Sequence, residues 1–269
     1  MASHNTASDQ AADLLAALRQ RRPLVQNITN YVAMDLSANG LLAIGASPAM
    51  VHAVEEAASF AVLAEALVVN IGTLSAAWVE AMTQAARAAG AAGRPWVLDP
   101  VAVGATDFRN RTARDLCTLR PTVIRGNASE ILALHQQGQG GGHGVDSRHS
   151  SDEAREVARD LARSLGCVVA MTGAVDYVTD GDRLLAVENG HPLLGLVTAT
   201  GCTVSAIVAA FLPLSNDPVM AAAAALAVFG LAGEQAAAGA AGPGSFRVGL
   251  LDALYQLTPD DVRTGARIR

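Results

Sequence analysis

Apolar and polar positions fall along this chain in blocks rather than in strict alternation. Four runs of strand length, ALVVNIG (66–72), PWVLDPV (95–101), TVIRGN (122–127) and CVVAMTG (167–173), carry few polar side chains. Continuous apolar runs of this length are the pattern of parallel strands covered on both faces. LVQNITN (24–30) predicts a short strand entering a polar loop, and SPAMV (47–51) a short extended segment. Between them, spacing predicts helices over 9–20, with Leu14, Leu15 and Leu18 on one side, over 31–44 stopping before Gly45, and over 53–64. Further helical stretches cover 74–90, 107–118 and 151–165. Strand–helix alternation of this kind predicts an α/β fold with a mostly parallel central sheet and helices on both faces.

The segment DYVTDGDRLLAVEN (176–189) breaks the pattern. Asp180-Gly181-Asp182 is a turn signal between two strand-like runs, which predicts an antiparallel hairpin. A loop over 190–200 follows, then helices over 202–212, 218–239 and 246–256. Residues 1–8 read as a disordered tail. The glycine-rich GQGGGHGVDS (138–147) reads as a flexible surface loop, because its spacing fits neither a P-loop nor a dinucleotide fingerprint. With no internal repeat and no linker, residues 1–269 read as one domain.

Composition narrows the function classes. Half of the 269 residues are hydrophobic, enough for a sizeable core, yet only 4% are aromatic, so alanine and valine must do much of the packing. Net charge is −6 with charges scattered, which argues against nucleic acid or an anionic membrane as partner. Every basic residue is arginine, so a Schiff-base lysine and a P-loop lysine are both excluded. Cys117, Cys167 and Cys202 lie far apart without zinc-like spacing, which suits a reducing cytoplasm. The apolar stretch Val219–Gly233 is short for a bilayer span and predicts a packed helix.

In open α/β sheets ligands sit beyond the carboxyl ends of the strands. The residues at those ends are Thr73, Asp99-Pro100, Gly126-Asn127 with Glu130 three residues on, and Thr172-Gly173. Carboxylates there suit Mg²⁺, although Asp99 is equally a turn residue before proline and Glu130 a first-turn acid favoured by the helix dipole. VTATGCTVSAIVAAFL (197–212) feeds a small-residue loop into an apolar helix, whose first N–H groups would form an anion site. Cys202 falls in its first turn, where it is equally a thiol with its pKa lowered by the helix terminus and a buried structural cysteine beside a glycine turn. The amides of Gln26-Asn27-Ile28-Thr29-Asn30 suit either a small heterocycle or loop and cap duty. Arg125, ending an apolar run, calls for an anionic partner such as phosphate.

Taken together, these stretches resemble the hydroxyethylthiazole kinases of the ribokinase-like superfamily. The resemblance runs from about Pro23 to Leu257, through VQNITNYV, ASPAM, NIGTL, PWVLDPVAVGAT, PTVIRGNASEILAL, TGAVDYVTDG, NGHPLLGLVTATGC and GPGSF in the family's order. It implies a three-layer ribokinase-like sandwich. It also implies ATP-dependent, Mg²⁺-requiring phosphorylation of the alcohol of 4-methyl-5-(2-hydroxyethyl)thiazole, a thiamin precursor, in a cytoplasmic homotrimer with active sites at subunit boundaries. By the same resemblance Asn27, Met50 and Ala199 match thiazole-contacting positions, and Arg125 and Thr172 match ATP-contacting ones. Asp99 and Glu130 match acids beside the metal and phosphates, and Cys202 the position of the proton acceptor. The family's loop reads Gly-Thr-Gly-Cys, and here it is Ala199-Thr200-Gly201-Cys202. If the backbone at 199 requires a positive φ, the alanine adds strain of about 1 kcal/mol.

Overall fold

A computed structural model of the chain describes residues 6–138 and 151–269. The elements run α1 (Ala7–Arg21), β1 (Leu24–Ile28), α2 (Met34–Ile44), β2 (Ser47–Ala49), α3 (Ala57–Leu63), β3 (Ala66–Asn70) and α4 (Ala76–Ala91). They continue β4 (Trp96–Asp99), α5 (Asp107–Cys117), β5 (Val123–Asn127), α6 (Ala128–Gly138), α7 (Ser151–Leu165), β6 (Val168–Thr172), β7 (Asp176–Thr179) and β8 (Leu184–Val187). Four helices close the chain: α8 (Thr200–Phe211), α9 (Pro218–Ala238), α10 (Pro243–Gln256) and α11 (Pro259–Gly265).

The eight strands form one sheet in the order β2-β1-β3-β4-β5-β6-β7-β8. From β2 to β6 all pairings are parallel, and β7 and β8 add the expected antiparallel hairpin. Strand side chains alternate between two cores. Val25, Val68, Val97 and Val123 pack under α1, α2, α8, α9 and α10, while Leu67, Val69, Leu98 and Ile124 pack under α3 to α7. That two-sided burial is why the strands read as unbroken apolar runs.

Several boundaries moved for local reasons. Residues 6–8 are not a tail: Thr6 caps α1 in a reciprocal capping box with Asp9; residues 1–5 lie outside the described residues. The helix read from 31 begins at Met34, because Asn30 Oδ1 accepts from the N–H groups of Val32 and Ala33 (3.1 and 3.0 Å) and holds a turn there. The helix read over 53–64 contracts to α3. The loop read over 190–200 contains a 3₁₀ turn, Pro192–Leu196. Of the glycine-rich segment 138–147, only Gly138 lies within the described residues. The apolar stretch read as short for a membrane belongs to the 21-residue α9, which by length and composition is long enough to cross one. However, 89% of its most apolar window is buried inside the fold. α11 went unread, although Thr258-Pro259-Asp260-Asp261 is a cap, an N1 proline and a capping box in order.

Candidate active site

The parallel register lines polar strand ends up along one edge. Asn70, last in β3, pairs with Asp99, last in β4; Asn127, last in β5, pairs with Thr172, last in β6. Helix α8 starts against this edge. Its first two turns reach three strands or their ends: Gly201 meets Arg125 of β5, Cys202 meets Asn30 beyond β1, and one turn on Ser205 meets Asp99 of β4.

A buried hydrogen-bonded chain fixes the centre. Asn30 Nδ2 donates to Asn70 Oδ1 (2.9 Å) and to Cys202 Sγ (3.2 Å). Asn70 Nδ2 donates to Asp99 Oδ2 (2.7 Å), and Ser205 Oγ donates to the same oxygen (2.9 Å). Asn30 fits only because residue 72 is glycine, since a Cβ there would come within 2.5 Å of its Nδ2. Asp99 is fully buried, and its second oxygen, Oδ1, has no partner. Burial pushes its pKa up to about 6, against the opposing pull of Arg125, the Ser205 hydroxyl and the Asn70 amide.

The thiol corrects the expectation drawn from its place at a helix start. Cys202 sits in the first turn of α8, but burial, and then the charge of Asp99, push its pKa up to about 11. The Asn30 bond and Arg125 act the other way and are outweighed. Near neutral pH the sulfur is therefore a thiol, poorly suited to taking a proton and suited to hydrogen bonding.

Arg125 is the positive centre. Its Nη2 donates to Thr172 Oγ1 (2.7 Å), while its Nε is buried without a partner. The guanidinium lies against the start of α8: a Cβ at Gly201 would be 2.9 Å from Nη1. Ala199, the residue preceding α8, provides no side-chain cap, so the first-turn N–H groups remain available to a ligand beside that guanidinium. A cavity of about 600 Å³ opens here, lined by Arg125, Thr172, Asp176, Asn189, Gly201 and neighbours. Asp176 is a member sequence reading missed. Burial raises its pKa to about 6, opposed by the Gly173 N–H (2.9 Å) and by Arg125.

Glu130 lies close by, held as a helix-start acid. Its Oε2 accepts from Asn127 N (2.9 Å) and its Oε1 from Ala102 N (3.0 Å), so it clamps the β4 loop to the start of α6. Among the described residues no group of three His, Cys, Asp or Glu side chains is arranged around a metal position. Two carboxylates, one with a buried unpartnered oxygen, are nevertheless the donor set Mg²⁺ uses when phosphates and waters supply the rest.

Of the remaining expected residues, Met50 and Asn27 lie toward the β2–β1 end and Ala199 at the start of α8. Met50 follows β2, half-buried. Asn27 is buried in β1, where Nδ2 donates to Val25 O (3.1 Å) and Oδ1 has no partner. Asn30, not Asn27, is the amide of that segment that reaches Cys202. Ala199 has φ +72°, a left-handed conformation in which its Cβ is strained. Asn70 and Ser205 were hidden in apolar runs; the only signal was that each interrupts one.

Comparison with known proteins follows the same lines. The sequence model of the hydroxyethylthiazole kinase family matches residues 15–260. A hydroxyethylthiazole kinase from Cereibacter sphaeroides is 56% identical over 260 residues, 97% of this chain and 98% of that protein. One from Rhizobium johnstonii is 54% identical over 256 residues, 95% and 96% of the two chains. The structure of a hydroxyethylthiazole kinase protein from Pyrococcus horikoshii superposes with a TM-score of 0.90 at 45% identity, covering 97% of this chain and 98% of that one. An ADP complex of Bacillus subtilis pyridoxal kinase, at 17% identity and TM-score 0.57 over 78% of this chain and 91% of that one, shares the fold.

Proposed function

The chain belongs to the hydroxyethylthiazole kinase family, and from that premise we propose that it transfers the γ-phosphoryl group of ATP to the primary alcohol of 4-methyl-5-(2-hydroxyethyl)thiazole, in thiamin synthesis or salvage. The observation that carries this reading is the uncapped start of α8 set against Arg125, with Cys202 in the same first turn and Asp99 bonded to Ser205 in the next.

ATP occupies the cavity beside Arg125 and Thr172, with its γ-phosphate at the start of α8. The thiazole lies on the β2–β1 side, by Met50, Asn27 and Ala199, with its hydroxyethyl arm toward Cys202. Asp99 and Glu130 would hold Mg²⁺, which would supply charge neutralisation on the phosphate oxygens. The alcohol oxygen bonds to the γ-phosphorus as the bond to the β,γ-bridging oxygen breaks, and ADP leaves. Arg125 and the N–H groups of residues 200–202 stabilise charge on the group in flight. The neutral Cys202 thiol orients the alcohol, and its proton departs late, onto the transferred phosphoryl oxygens.

In this reading residues 1–269 work as one kinase unit in the cytoplasm. The family resemblance implies a homotrimer with sites at subunit boundaries, and Tyr31 and Val32, 68% and 61% exposed beside Asn30, offer apolar surface for such a neighbour. The test is ADP release with Mg·ATP, run in parallel on hydroxyethylthiazole and hydroxymethylpyrimidine, with mass spectrometry of the products. Phosphorylated thiazole is the expected product. Transfer to the pyrimidine alone would overturn the substrate, and thiazole binding without transfer would turn the protein into a sensor.

A further inference from the structure

The opposite edge of the sheet, where β4 and β5 begin, holds a second cavity of about 510 Å³ between the end of α4 and the segment leading into α9. Arg94, Trp96, Arg120, Thr122, Ser215 and Asn216 contribute its polar lining, and no acidic residue lines it. Asp217, next to Asn216 in the chain, is committed elsewhere. It binds Arg183 through both oxygens (2.7 and 3.0 Å) and caps α9 at Val219 and Met220.

Two of the lining side chains carry buried N–H groups that the fold leaves unpaired, Arg94 Nε and Trp96 Nε1; Trp96 is 1% exposed. A buried donor without an acceptor is costly, and native folds rarely leave two beside one cavity. These donors come from the segment entering β4, and Arg120, before β5, adds a second guanidinium to that of Arg94. That arrangement suits a tetrahedral anion with acceptors on every side better than a planar carboxylate. The volume exceeds a bare ion and leaves room for a small organic group.

We propose that this cavity binds a small phosphate-bearing anion, with phosphate oxygens accepting from Arg94 Nε, Trp96 Nε1 and the Arg120 guanidinium. It lies at the far end of the strands that carry Asp99 and Arg125, so it is distinct from the phosphoryl-transfer site.

The chain has two tryptophans, and their indole N–H signals make the test direct. Trp78 packs against Tyr31 and His52, with ring centroids 4.8 and 4.9 Å away, and reports on another region. The ¹⁵N-labelled full chain is titrated at constant ionic strength with inorganic phosphate, glycerol phosphate and acetate. The Trp96 indole signal should shift saturably with both phosphates. Arg94→Gln and Arg120→Gln should each weaken this binding about tenfold, as expected for lost charged hydrogen bonds, while Arg125→Ala should leave it intact. Gly90→Leu should block the cavity in a folded protein, because a Cβ at Gly90 meets nothing within 4 Å. Tighter binding of glycerol phosphate than of phosphate identifies a monoester as the occupant, and equal binding identifies the free ion. A static Trp96 signal, an equal response to acetate, or an undiminished response in the Arg94→Gln/Arg120→Gln double variant would overturn the proposal.

Discussion

The two halves of the catalytic edge are built differently. On the β4–β6 side, Asp99, Arg125, Thr172 and Glu130 are each bonded within this chain, with Asp99 Oδ1 and Arg125 Nε left buried without partners, and the α8 start and Gly201 are shaped around one guanidinium. On the β2–β1 side, Asn27 Oδ1 and Thr29 Oγ1 are buried without partners, and Tyr31 and Val32 stand exposed. Folding ties the proposed phosphate half together and leaves it one acceptor and one charged donor for a ligand. The other half pairs its unpartnered groups with exposed apolar surface, suited to a substrate and, in the proposed trimer, a neighbouring copy. Phosphoryl transfer has fixed charge demands, so its cradle can be preorganised; the acceptor side need only enclose and orient a small heterocycle.

Substitutions can break or sharpen this division. The largest effect is expected at Arg125: Arg125→Ala should lower kcat/KM by about 10²–10³, the scale of losing a charge-stabilising donor, while thiazole affinity by calorimetry stays within a few-fold. A parallel collapse of thiazole binding would erase the boundary between halves. Next is Cys202→Ala. If the thiol only orients the alcohol, turnover should fall about tenfold, a hydrogen bond's worth, and the kcat–pH profile of the parent should show no thiol limb near its ordinary pKa. A loss above about 10² would restore it as a base.

Asp99 gives a smaller effect with a definite pH window. Its folded pKa of about 6 lies above the ordinary 3.8, so the protonated form is favoured by folding. Its burial penalty is absent below the ordinary value, grows as pH rises between the two, and is constant above. Melting temperatures of Asp99→Asn and the parent should therefore converge toward pH 4 and separate, with the variant higher, by pH 7. Parallel curves would mean that Asp99 titrates normally. The smallest effect is at Ala199→Gly. Relief of left-handed strain, about 1 kcal/mol, is partly offset by the greater freedom of glycine in the unfolded chain, about 0.4–1 kcal/mol. Denaturant midpoints should barely move, and the KM for thiazole should fall if the methyl crowds the substrate.

The layered fold was legible because parallel strands leave long apolar runs, and Asp99, Arg125, Glu130 and Thr172 because each ends or closely follows one. What the sequence hid was distance-independent pairing. Asn30 and Cys202 are 172 positions apart, and nothing local announces their contact. The thiol was misjudged for the same reason: a helix start can be read from Thr-Gly-Cys, whereas burial and the charge of Asp99, over a hundred residues upstream, cannot. Ala199 shows the reverse case, where its departure from glycine was visible at once but its sign depended on a backbone angle.

The neutral Cys202 has a bearing on durability. Oxidants and alkylating reagents attack thiolates, and Cys117 and Cys167 are buried with pKa values pushed up to about 12. A chain with Cys202 at its proposed reacting centre therefore offers almost no thiolate to peroxide at neutral pH. Peroxide is expected to inactivate it more slowly than enzymes that rely on an ionised cysteine.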